Sequence, residues 1–298
     1  MKYLITGASG LIGKKLVHKL LEQNSFINIL TTNKNLKSSN KNINKFYWNP
    51  ELNKIDSKCI DGVQIIINLA GSPIAQLWTK YSKKSILLSR INSVKLLNQI
   101  IIEKKSKIDH FFCASAIGIY KSDNAYTHNE SSQNTSNSFL GDTVSKWEKS
   151  CNKLKEQKIN VTILRIGLVL SLDGGLLKPI ALSVKYFLGT WFGNGSNIYS
   201  WIHIDDLVNS ILFLLSNNKN GIYNLVAPNP ISSKLFTIEI SKVLNKKILL
   251  PPIPSFLIKL ITGSMSELFL FSQNVSSKKI KDEGFKFQFN SISSALNN

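Results

Sequence analysis

The 298-residue sequence predicts an α/β protein with a doubly wound parallel sheet and a smaller C-terminal lobe. The chain opens with an apolar run from Tyr3 to Ile5, a glycine-rich turn and an amphipathic stretch from Leu11 to Leu21, which is the pattern of a strand followed by a helix. Val63 to Leu69 is continuously apolar, as expected of a parallel strand that is covered on both faces. A chain of 298 residues can bury one large core or two modest ones, and with an opening strand–helix unit the expected division is a main domain plus a smaller appended one. Beyond Asp173-Gly174-Gly175 the periodicity becomes irregular.

The opening turn holds three glycines, Gly7, Gly10 and Gly13, in the spacing Gly-x-x-Gly-x-x-Gly. This spacing lets the backbone approach a diphosphate, while the N-terminus of the following helix offers free N–H groups to the anion. Glycine triplets also occur in ordinary turns, but the position between the first strand and the first helix favours a nucleotide site in a Rossmann-type domain. The predicted cofactor contacts in this turn are Gly7, Ser9, Gly10, Leu11, Ile12 and Gly13.

The formal net charge of +19 first suggests binding to nucleic acid or to an anionic membrane. However, only Arg90 and Arg165 among the 37 basic residues are arginines, and arginine supplies the forked contacts to guanine and phosphate. The composition therefore predicts no specific nucleic-acid partner. Each arginine is a candidate ligand contact or buried ion pair, because lysine cannot replace a planar, bidentate group; simple survival on the surface is the alternative.

The three cysteines, Cys59, Cys113 and Cys151, are widely separated and predict neither a disulfide framework nor a metal site. The first strand leaves no room for a signal peptide, and the sequence contains no run of about 18 apolar residues that would span a membrane. We therefore predict a cytoplasmic protein without a membrane span. An oligomer stays possible, since nothing in the composition decides the oligomeric state.

A second strand is predicted from Phe26 to Thr32, and its end is where dinucleotide sites usually select their cofactor. An acidic residue there would bind a ribose 2′-hydroxyl and repel a 2′-phosphate, but none is present, and Lys34 and Lys37 can neutralise such a phosphate. The sequence therefore favours NADP over NAD, with Thr32 as a cofactor contact. The alternative is that these lysines belong only to a solvated loop.

A short third strand is predicted from Lys45 to Trp48, and the fourth, Val63 to Leu69, ends in a turn of small residues. Because ligands bind at the carboxyl ends of such strands, we predict cofactor contacts at Leu69, Ala70 and Gly71, with an ordinary strand-to-loop turn as the alternative. A helical pattern from Ser85 to Lys104 then brings Arg90 near its middle, as a further predicted cofactor contact.

The fifth predicted strand, Asp109 to Ser115, delivers Ser115 and then Tyr120 to the carboxyl edge of the sheet, the place for a substrate. The polar run from Lys121 to Ser138 follows, and it is either a lid over a ligand or a surface loop.

The later elements are predicted from the same patterns. They are a helix over 139–154, a strand over 161–170, a helix over 176–188, a strand over 199–204, a helix over 207–215, a strand over 221–226 and a helix over 235–244. Asp205 or Asp206 is expected to cap the helix that follows it, and His203 to be a packed histidine without a charge partner. The apolar stretch from Phe256 to Phe271 is expected to pack against the substrate side rather than to lie in a membrane interface.

Taken together, a series of short motifs resembles the short-chain dehydrogenase/reductase superfamily, and specifically its atypical, epimerase-like branch, sometimes labelled SulA-like cell-division inhibitors. The motifs are ITGASGLIG at 5–13, NLAGSPIA at 68–75, Ser89-Arg90, ASAIGIY at 114–120, Phe139-Leu140, Trp147-Glu148, RIGLVL at 165–170, DGG at 173–175, WIHIDDLV at 201–208 and Gly284-Phe285-x-Phe287. The resemblance covers nearly the whole chain. It implies a Rossmann domain, a C-terminal lobe and NADP held by the glycine loop, although most members have arginine at the place of Thr32.

Typical enzymes of that superfamily use a Tyr-x-x-x-Lys pair, in which the lysine lowers the pKa of the phenol for proton transfer. No such pair occurs in this sequence, and the resemblance places Leu140 and Val144 at the two positions. Ser115 and Tyr120 are then the predicted catalytic residues. Asp142 and Lys146 lie one helical turn apart, as an exposed pair or as a pair facing the same cavity.

These observations predict an NADP-binding oxidoreductase or epimerase that acts on a small substrate bearing a hydroxyl or carbonyl group. The alternative is a catalytically impaired regulator or scaffold that binds the dinucleotide, for which the division-inhibitor label suggests one setting. The predicted cofactor domain spans residues 1–170, with 196–226 returning to it, and the substrate lobe comprises 171–195 and 227–298.

Overall fold

A computed structural model describes residues 1–297 and contains a central sheet of eight strands. The strands in chain order are β1 Lys2–Thr6, β2 Phe26–Thr31, β3 Ile43–Asn49, β4 Lys54–Ile55, β5 Ile65–Asn68, β6 His110–Ala116, β7 Asp123–His128, β8 Asn160–Ile166, β9 Leu168–Ser171, β10 Gly174–Gly175, β11 Ile198–Tyr199, β12 Trp201–His203, β13 Gly221–Leu225, β14 Ile231–Ser232 and β15 Gln273–Val275.

The α-helices connect these strands and build the second lobe. They are α1 Leu11–Glu22, α2 Lys80–Glu103, α3 Phe139–Ser150, α4 Asn152–Glu156, α5 Leu177–Lys185, α6 Ile204–Ser216, α7 Ser233–Val243, α8 Ser255–Thr262, α9 Glu267–Leu270, α10 Lys278–Asp282 and α11 Ile292–Leu296. Three short 3₁₀ helices cover Ser57–Ile60, Ile117–Ile119 and Gly263–Ser266.

The central sheet has the strand order β13-β8-β6-β5-β1-β2-β3-β4, and every pair is parallel except β3 with β4. The chain moves outward from β1 to β3, returns to the other side of β1 with β5, and continues outward to β13. The winding reverses between β1 and β5, and the carboxyl ends of strands at such a point form a ligand crevice. The predicted doubly wound parallel fold is confirmed.

The apolar runs become central strands because helices cover both faces of the sheet. On α1 the buried residues Leu16, Val17 and Leu20 follow helical spacing, so one stripe of the helix packs on the strands. β5 is buried along its whole length, which agrees with its unbroken run of isoleucines.

The predicted single strand over 161–170 is wrong, because the chain breaks at Gly167 into β8 and β9. A side chain at Gly167 would place its Cβ 2.5 Å from the carbonyl oxygen of Ser200, so only glycine permits this close approach. β9 leaves the central sheet and pairs instead with β12 and β10.

The polar run from Lys121 to Ser138 is partly an ordered strand. β7 pairs in parallel with β15, and the Ser272 N–H donates to Ser122 Oγ at 2.9 Å. The pairing partner lies about 150 residues later in the sequence, which is why no local pattern predicted this strand.

The prediction that Asp205 or Asp206 caps the following helix is wrong. α6 begins at Ile204, and the capping group is His203, whose Nδ1 accepts the Asp205 N–H at 3.3 Å. The buried Asp206 carboxylate accepts instead from the N–H groups of Gln288 and Phe289, both at 2.9 Å. It therefore anchors the C-terminal segment against the start of α6.

His203 is a packed histidine, as predicted, because its side chain is buried and its ring centre lies 4.0 Å from that of Phe289. Its Nδ1 lies 3.6 Å from a carboxylate oxygen of Asp205, which itself pairs with Lys15 of α1. The neighbouring Asp205 does not make it a charged pair, since Nδ1 already accepts the Asp205 N–H. Burial lowers the pKa of His203, so the ring is neutral near pH 7.

The apolar stretch from Phe256 to Phe271 folds as α8, a 3₁₀ turn and α9, and α8 does not pack as expected. Ile258 is buried, but Phe256, Leu260 and Ile261 are exposed. None of the helices described within residues 1–297 has both the length and the apolar character required to cross a membrane.

Candidate cofactor and substrate site

The glycine turn lies tightly against the turn that follows β5. Gly7 has a φ of +68°, and a Cβ on it would lie 2.8 Å from the carbonyl carbon and oxygen of Leu69. A Cβ on Gly13 would overlap the carbonyl oxygen of Gly7 and lie 2.7 Å from the Cα of Ala8. These two positions can only be glycine in this conformation, because a side chain at either one would overlap the backbone. We call the turn from Gly7 to Gly13 the glycine cradle.

The same turn presents unused backbone donors to the crevice. The N-cap of α1 is Gly10, which has no capping side chain, and the first bond of the helix runs from the Lys14 N–H to the Gly10 carbonyl at 3.0 Å. The N–H groups of Leu11, Ile12 and Gly13 therefore have no partner within the helix. Together with the positive end of the helix dipole, this arrangement fits a diphosphate.

Thr6 and Asn68 hold the two turns together, and sequence reasoning missed both residues. Thr6 Oγ1 donates to Asn68 Oδ1 at 2.6 Å and accepts the N–H groups of Leu69 and Ala70, each at 3.1 Å. Asn68 Nδ2 in turn donates to Ser93 Oγ on α2 at 3.1 Å. The sequence did contain a signal for them, because Thr6 and Asn68 are each the polar last residue of an otherwise largely apolar strand.

Arg90 is a buried cation beside the β5 turn. Its Nη1 donates to the carbonyl oxygens of Ser72 and Ile86 at 3.1 and 2.9 Å, and its guanidinium carbon lies 5.2 Å from the ring centre of Trp147. A Cβ on Gly71 would lie 3.1 Å from that carbon, so the guanidinium rests on the turn itself. Its role as a cofactor contact stays a prediction.

The Arg90 charge has no local compensation. Among residues 1–297 no carboxylate pairs with it, and its Nε and Nη2 donate to no protein group. Burial lowers the pKa of Arg90 to about 10, which still leaves it protonated at neutral pH. An anion bound at this edge of the sheet would meet an uncompensated positive charge.

Ser115, at the carboxyl end of β6, belongs to a buried network with Glu148 and Arg165. Ser115 Oγ donates to Glu148 Oε1 at 2.6 Å, and Arg165 Nε and Nη2 donate to the two oxygens of the same carboxylate, both at 2.9 Å. Burial opposes the charge of Arg165, but the hydrogen bonds and charge of Glu148 outweigh it and raise its pKa. One of the two arginines is thus a buried ion pair, as the composition suggested.

Tyr120 is fully buried and extends this network. It donates its O–H to Asn224 Oδ1 at 2.7 Å and accepts Arg165 Nη1 at 2.9 Å. Burial raises the pKa of Tyr120, although Arg165 acts in the opposite direction. This geometry argues against the predicted transfer of a proton from Tyr120 to substrate, because the hydroxyl has no face open to the crevice.

The two positions of the missing Tyr-x-x-x-Lys pair face the segment after Ser115. A Cβ at Gly118 would lie 3.6 Å from Leu140 Cβ and 3.9 Å from Val144 Cγ2, so both side chains lie close to this glycine. On the same helix, Asp142 and Lys146 pair at 2.7 Å with about half of each side chain exposed, which agrees with the exposed-pair interpretation. The assignment of Leu140 and Val144 to the two positions of the Tyr-x-x-x-Lys pair stays a prediction from the resemblance.

Thr32, Lys34 and Lys37 lie in an exposed loop after β2. The hydroxyl of Thr31 accepts the Asn33 N–H at 3.1 Å, which turns the chain outward. All three predicted residues are therefore accessible at the end of β2, where a ribose would be selected.

A separate groove of about 780 Å³ runs beside the free edge of β13 and is lined by Glu130, Lys278, Asp282 and Glu283, among others. Three of these charged side chains form salt bridges within the protein: Lys278 pairs with Asp282, and Glu283 pairs with Lys219. The groove lacks the open donors of the glycine turn, so the turn carries the functional assignment.

Residues 3–225 match the sequence profile of the NAD dependent epimerase/dehydratase family. The chain belongs to this family. Residues 253–298 match a further profile, described as a domain of unknown function (DUF1731). The resemblance stated from the motifs is confirmed.

Curated relatives carry the same family description. Epimerase family protein SAR0825 of Staphylococcus aureus (strain MRSA252) is 34% identical over 299 residues, covering 99% of this chain and 97% of the relative. Epimerase family protein SERP0438 of Staphylococcus epidermidis is 34% identical over 303 residues, with the same coverage of 99% and 97%.

Solved structures share the fold. Human epimerase family protein SDR39U1 (isoform 2) with NADPH is similar at a TM-score of 0.86 and 22% identity, covering 100% of this chain and 98% of that chain. UDP-glucuronic acid 4-epimerase from Bacillus cereus, in complex with UDP-glucuronic acid and NAD, is similar at a TM-score of 0.81 and 19% identity, covering 99% and 96%.

Proposed function

We propose that this protein binds NADP(H) and acts as an oxidoreductase or epimerase on a small substrate bearing a hydroxyl or carbonyl group. The observation that carries the proposal is the cradle at Gly7 and Gly13, which side chains would fill and which opens onto three unused N–H groups. When bound, a nicotinamide cofactor supplies hydride transfer. The similar human structure contains NADPH and several other family structures contain NAD, which supports a dinucleotide at this place.

The residues proposed to hold the cofactor surround the carboxyl ends of β1, β2 and β5. They are Gly7, Ser9, Gly10, Leu11, Ile12, Gly13, Thr32, Leu69, Ala70, Gly71 and Arg90. The backbone N–H groups at the start of α1 would bind the diphosphate, and the Arg90 guanidinium would add its uncompensated charge from the β5 turn.

The preference for NADP over NAD rests on charge after β2. The sequence has no aspartate or glutamate between Glu22 and Glu51, and this interval includes exposed Lys34 and Lys37. A 2′-phosphate would therefore meet only positive side chains, whereas NAD-selective sites place a carboxylate there.

Replacing Lys34 and Lys37 together with glutamine is expected to weaken NADPH binding about three- to tenfold, since exposed charge pairs contribute about 0.2–1 kcal/mol each. NADH binding should not change, because NADH lacks the 2′-phosphate. Calorimetric titration at low and high salt measures the ratio of NADPH affinity to NADH affinity in the wild-type protein and in the variant. Lys54→Gln, an exposed lysine on β4, is the matched control, and an equal loss of NADPH and NADH affinity would contradict the prediction.

Ser115 is the proposed substrate contact, at the carboxyl end of β6 beside the crevice. Its single proton is donated to Glu148, so its oxygen would accept a hydrogen bond from a substrate hydroxyl. Tyr120 is proposed as a positioning residue, which holds Arg165 and Asn224 from beneath the site.

Incubating the purified protein with NADPH and a panel of aldehydes, ketones and nucleotide sugars tests the catalytic proposal. We expect turnover above the blank for at least one substrate class, and a lower rate for Ser115→Ala with unchanged NADPH affinity. Tight NADPH binding without turnover on the whole panel would reject the catalytic proposal and leave the cofactor site intact.

The second candidate is a dinucleotide-binding regulator or scaffold. It is favoured by one specific observation, that Ser115 and Tyr120 both donate their protons to groups inside the protein. A regulator would leave NADPH chemically unchanged and would alter its affinity for a partner protein when loaded. We further propose that 1–170 with 196–226 forms the cofactor domain of a cytoplasmic protein, and that the other segments form the substrate lobe.

A further inference from the structure

Two neighbouring segments of the second lobe are rich in lysine and contain no acidic residue. Residues 174–204 and 240–266 together hold six lysines and neither aspartate nor glutamate. The two segments lie side by side, since Thr190 Oγ1 donates to the Pro251 carbonyl at 2.8 Å and the Gly193 N–H donates to the Ile253 carbonyl at 2.8 Å. Lys242 pairs with Glu239, just outside the second segment, but the other five lysines form no salt bridge within residues 1–297, so this part of the lobe keeps a positive charge.

The same two segments expose several large apolar side chains. On α8, residues at positions 256, 257, 260 and 261 form one helical stripe, and Phe256, Leu260 and Ile261 are 66%, 79% and 75% exposed. We define the lobe patch as this stripe together with the exposed residues at the end of α5 and before α8, namely Tyr186, Phe187, Leu188, Leu249 and Leu250. Lys246 links the segment before α8 to the end of α5, because its Nζ lies 4.9 Å from the ring centre of Phe187.

Charge decides which occupant the lobe patch fits. A second copy of the chain would bring an equally basic surface against it, and the whole protein carries a net charge of +19. Like charges disfavour such an interface, whereas the same lysines complement a negative surface. Large apolar side chains set among lysines on a short amphipathic helix are the pattern of a segment that lies in the interface of an anionic bilayer.

We propose that the lobe patch binds the surface of an anionic membrane, with the apolar stripe of α8 inserted into the headgroup boundary and the surrounding lysines on the lipid phosphates. Attachment is peripheral, through one short helix and the end of a second. This inference is independent of the proposed catalytic function.

Co-sedimentation with vesicles tests the proposal. The full-length protein is expected to bind vesicles of phosphatidylcholine mixed with phosphatidylglycerol, and not vesicles of phosphatidylcholine alone. Leu260→Glu combined with Ile261→Glu should weaken binding at least about tenfold, because it places two charges in the inserted stripe. Leu52→Glu, on a side chain that is 60% exposed at the far edge of the central sheet, is the matched control and should bind normally.

A second variant separates the electrostatic contribution to vesicle binding from the contribution of the apolar stripe. Lys246→Gln combined with Lys247→Gln leaves the apolar stripe intact and should weaken binding by about fivefold to thirtyfold at low salt, at about 1 kcal/mol per lysine. Thermal unfolding of each variant shows whether it is folded. If the Leu260/Ile261 variant is unfolded, membrane binding of the Lys246/Lys247 variant tests the proposal instead. The proposal is overturned if the protein ignores the anionic vesicles, if a folded variant of the stripe binds as well as the control, or if sedimentation reveals a dimer that the stripe variant abolishes.

Discussion

Replacing Glu148 with glutamine is expected to lower the free energy of unfolding by about 3–5 kcal/mol, because removing one partner strands a buried charge. The Arg165 guanidinium makes two bonds of 2.9 Å to this carboxylate, with 8% of the arginine and 13% of the glutamate side chain exposed. Ser115 would also lose its acceptor. Urea unfolding followed by circular dichroism measures the change.

The matched control lies nearer the start of the same helix. Asp142→Asn removes the exposed pair with Lys146 and should change the free energy of unfolding by no more than about 0.5 kcal/mol. Replacing Glu148 and Arg165 together with methionine should cost less than the sum of the two single changes, since it leaves no unpaired charge. A loss below about 1 kcal/mol for Glu148→Gln would show that water compensates Arg165.

Replacing Gly13 with alanine is expected to weaken NADPH binding at least about 100-fold, which corresponds to about 2.7 kcal/mol. The new Cβ would overlap the Gly7 carbonyl oxygen, so the turn must move away from the start of α1 and the unused N–H groups would no longer converge. Calorimetric titration with NADPH measures the affinity, and thermal unfolding reports on the fold.

Alanine substitutions at two other glycines give a series in which the clash of the added Cβ becomes progressively weaker. A Cβ on Gly10 would lie 3.3 Å from the same oxygen, and a Cβ on Gly118 would meet only Leu140 and Val144 at ordinary distances of 3.6 and 3.9 Å. Affinity should therefore fall most for Gly13→Ala, less for Gly10→Ala and not at all for Gly118→Ala. If Gly13→Ala is folded and binds NADPH normally, the cradle is not the cofactor site.

The sequence by itself determined the central sheet and the glycine cradle, because both are written in local patterns. Unbroken apolar runs specify β1 and β5, and the spacing of Gly7, Gly10 and Gly13 between β1 and α1 specifies a turn in which Gly7 and Gly13 have no room for a side chain. The burial of both arginines also followed from composition, since so lysine-rich a chain retains arginine only where its shape matters.

Only the tertiary structure decided which partners the polar side chains find. Ser115, Tyr120, Glu148 and Arg165 come from separate segments, and their hydrogen bonds exist only once β6, β8 and α3 have packed together. Asp206 illustrates the same limit, because its partners are backbone N–H groups more than 80 residues later. The exposure of α8 likewise depends on what the fold leaves uncovered. Helical spacing shows that a face is apolar, but burial is a property of the neighbours that reach it.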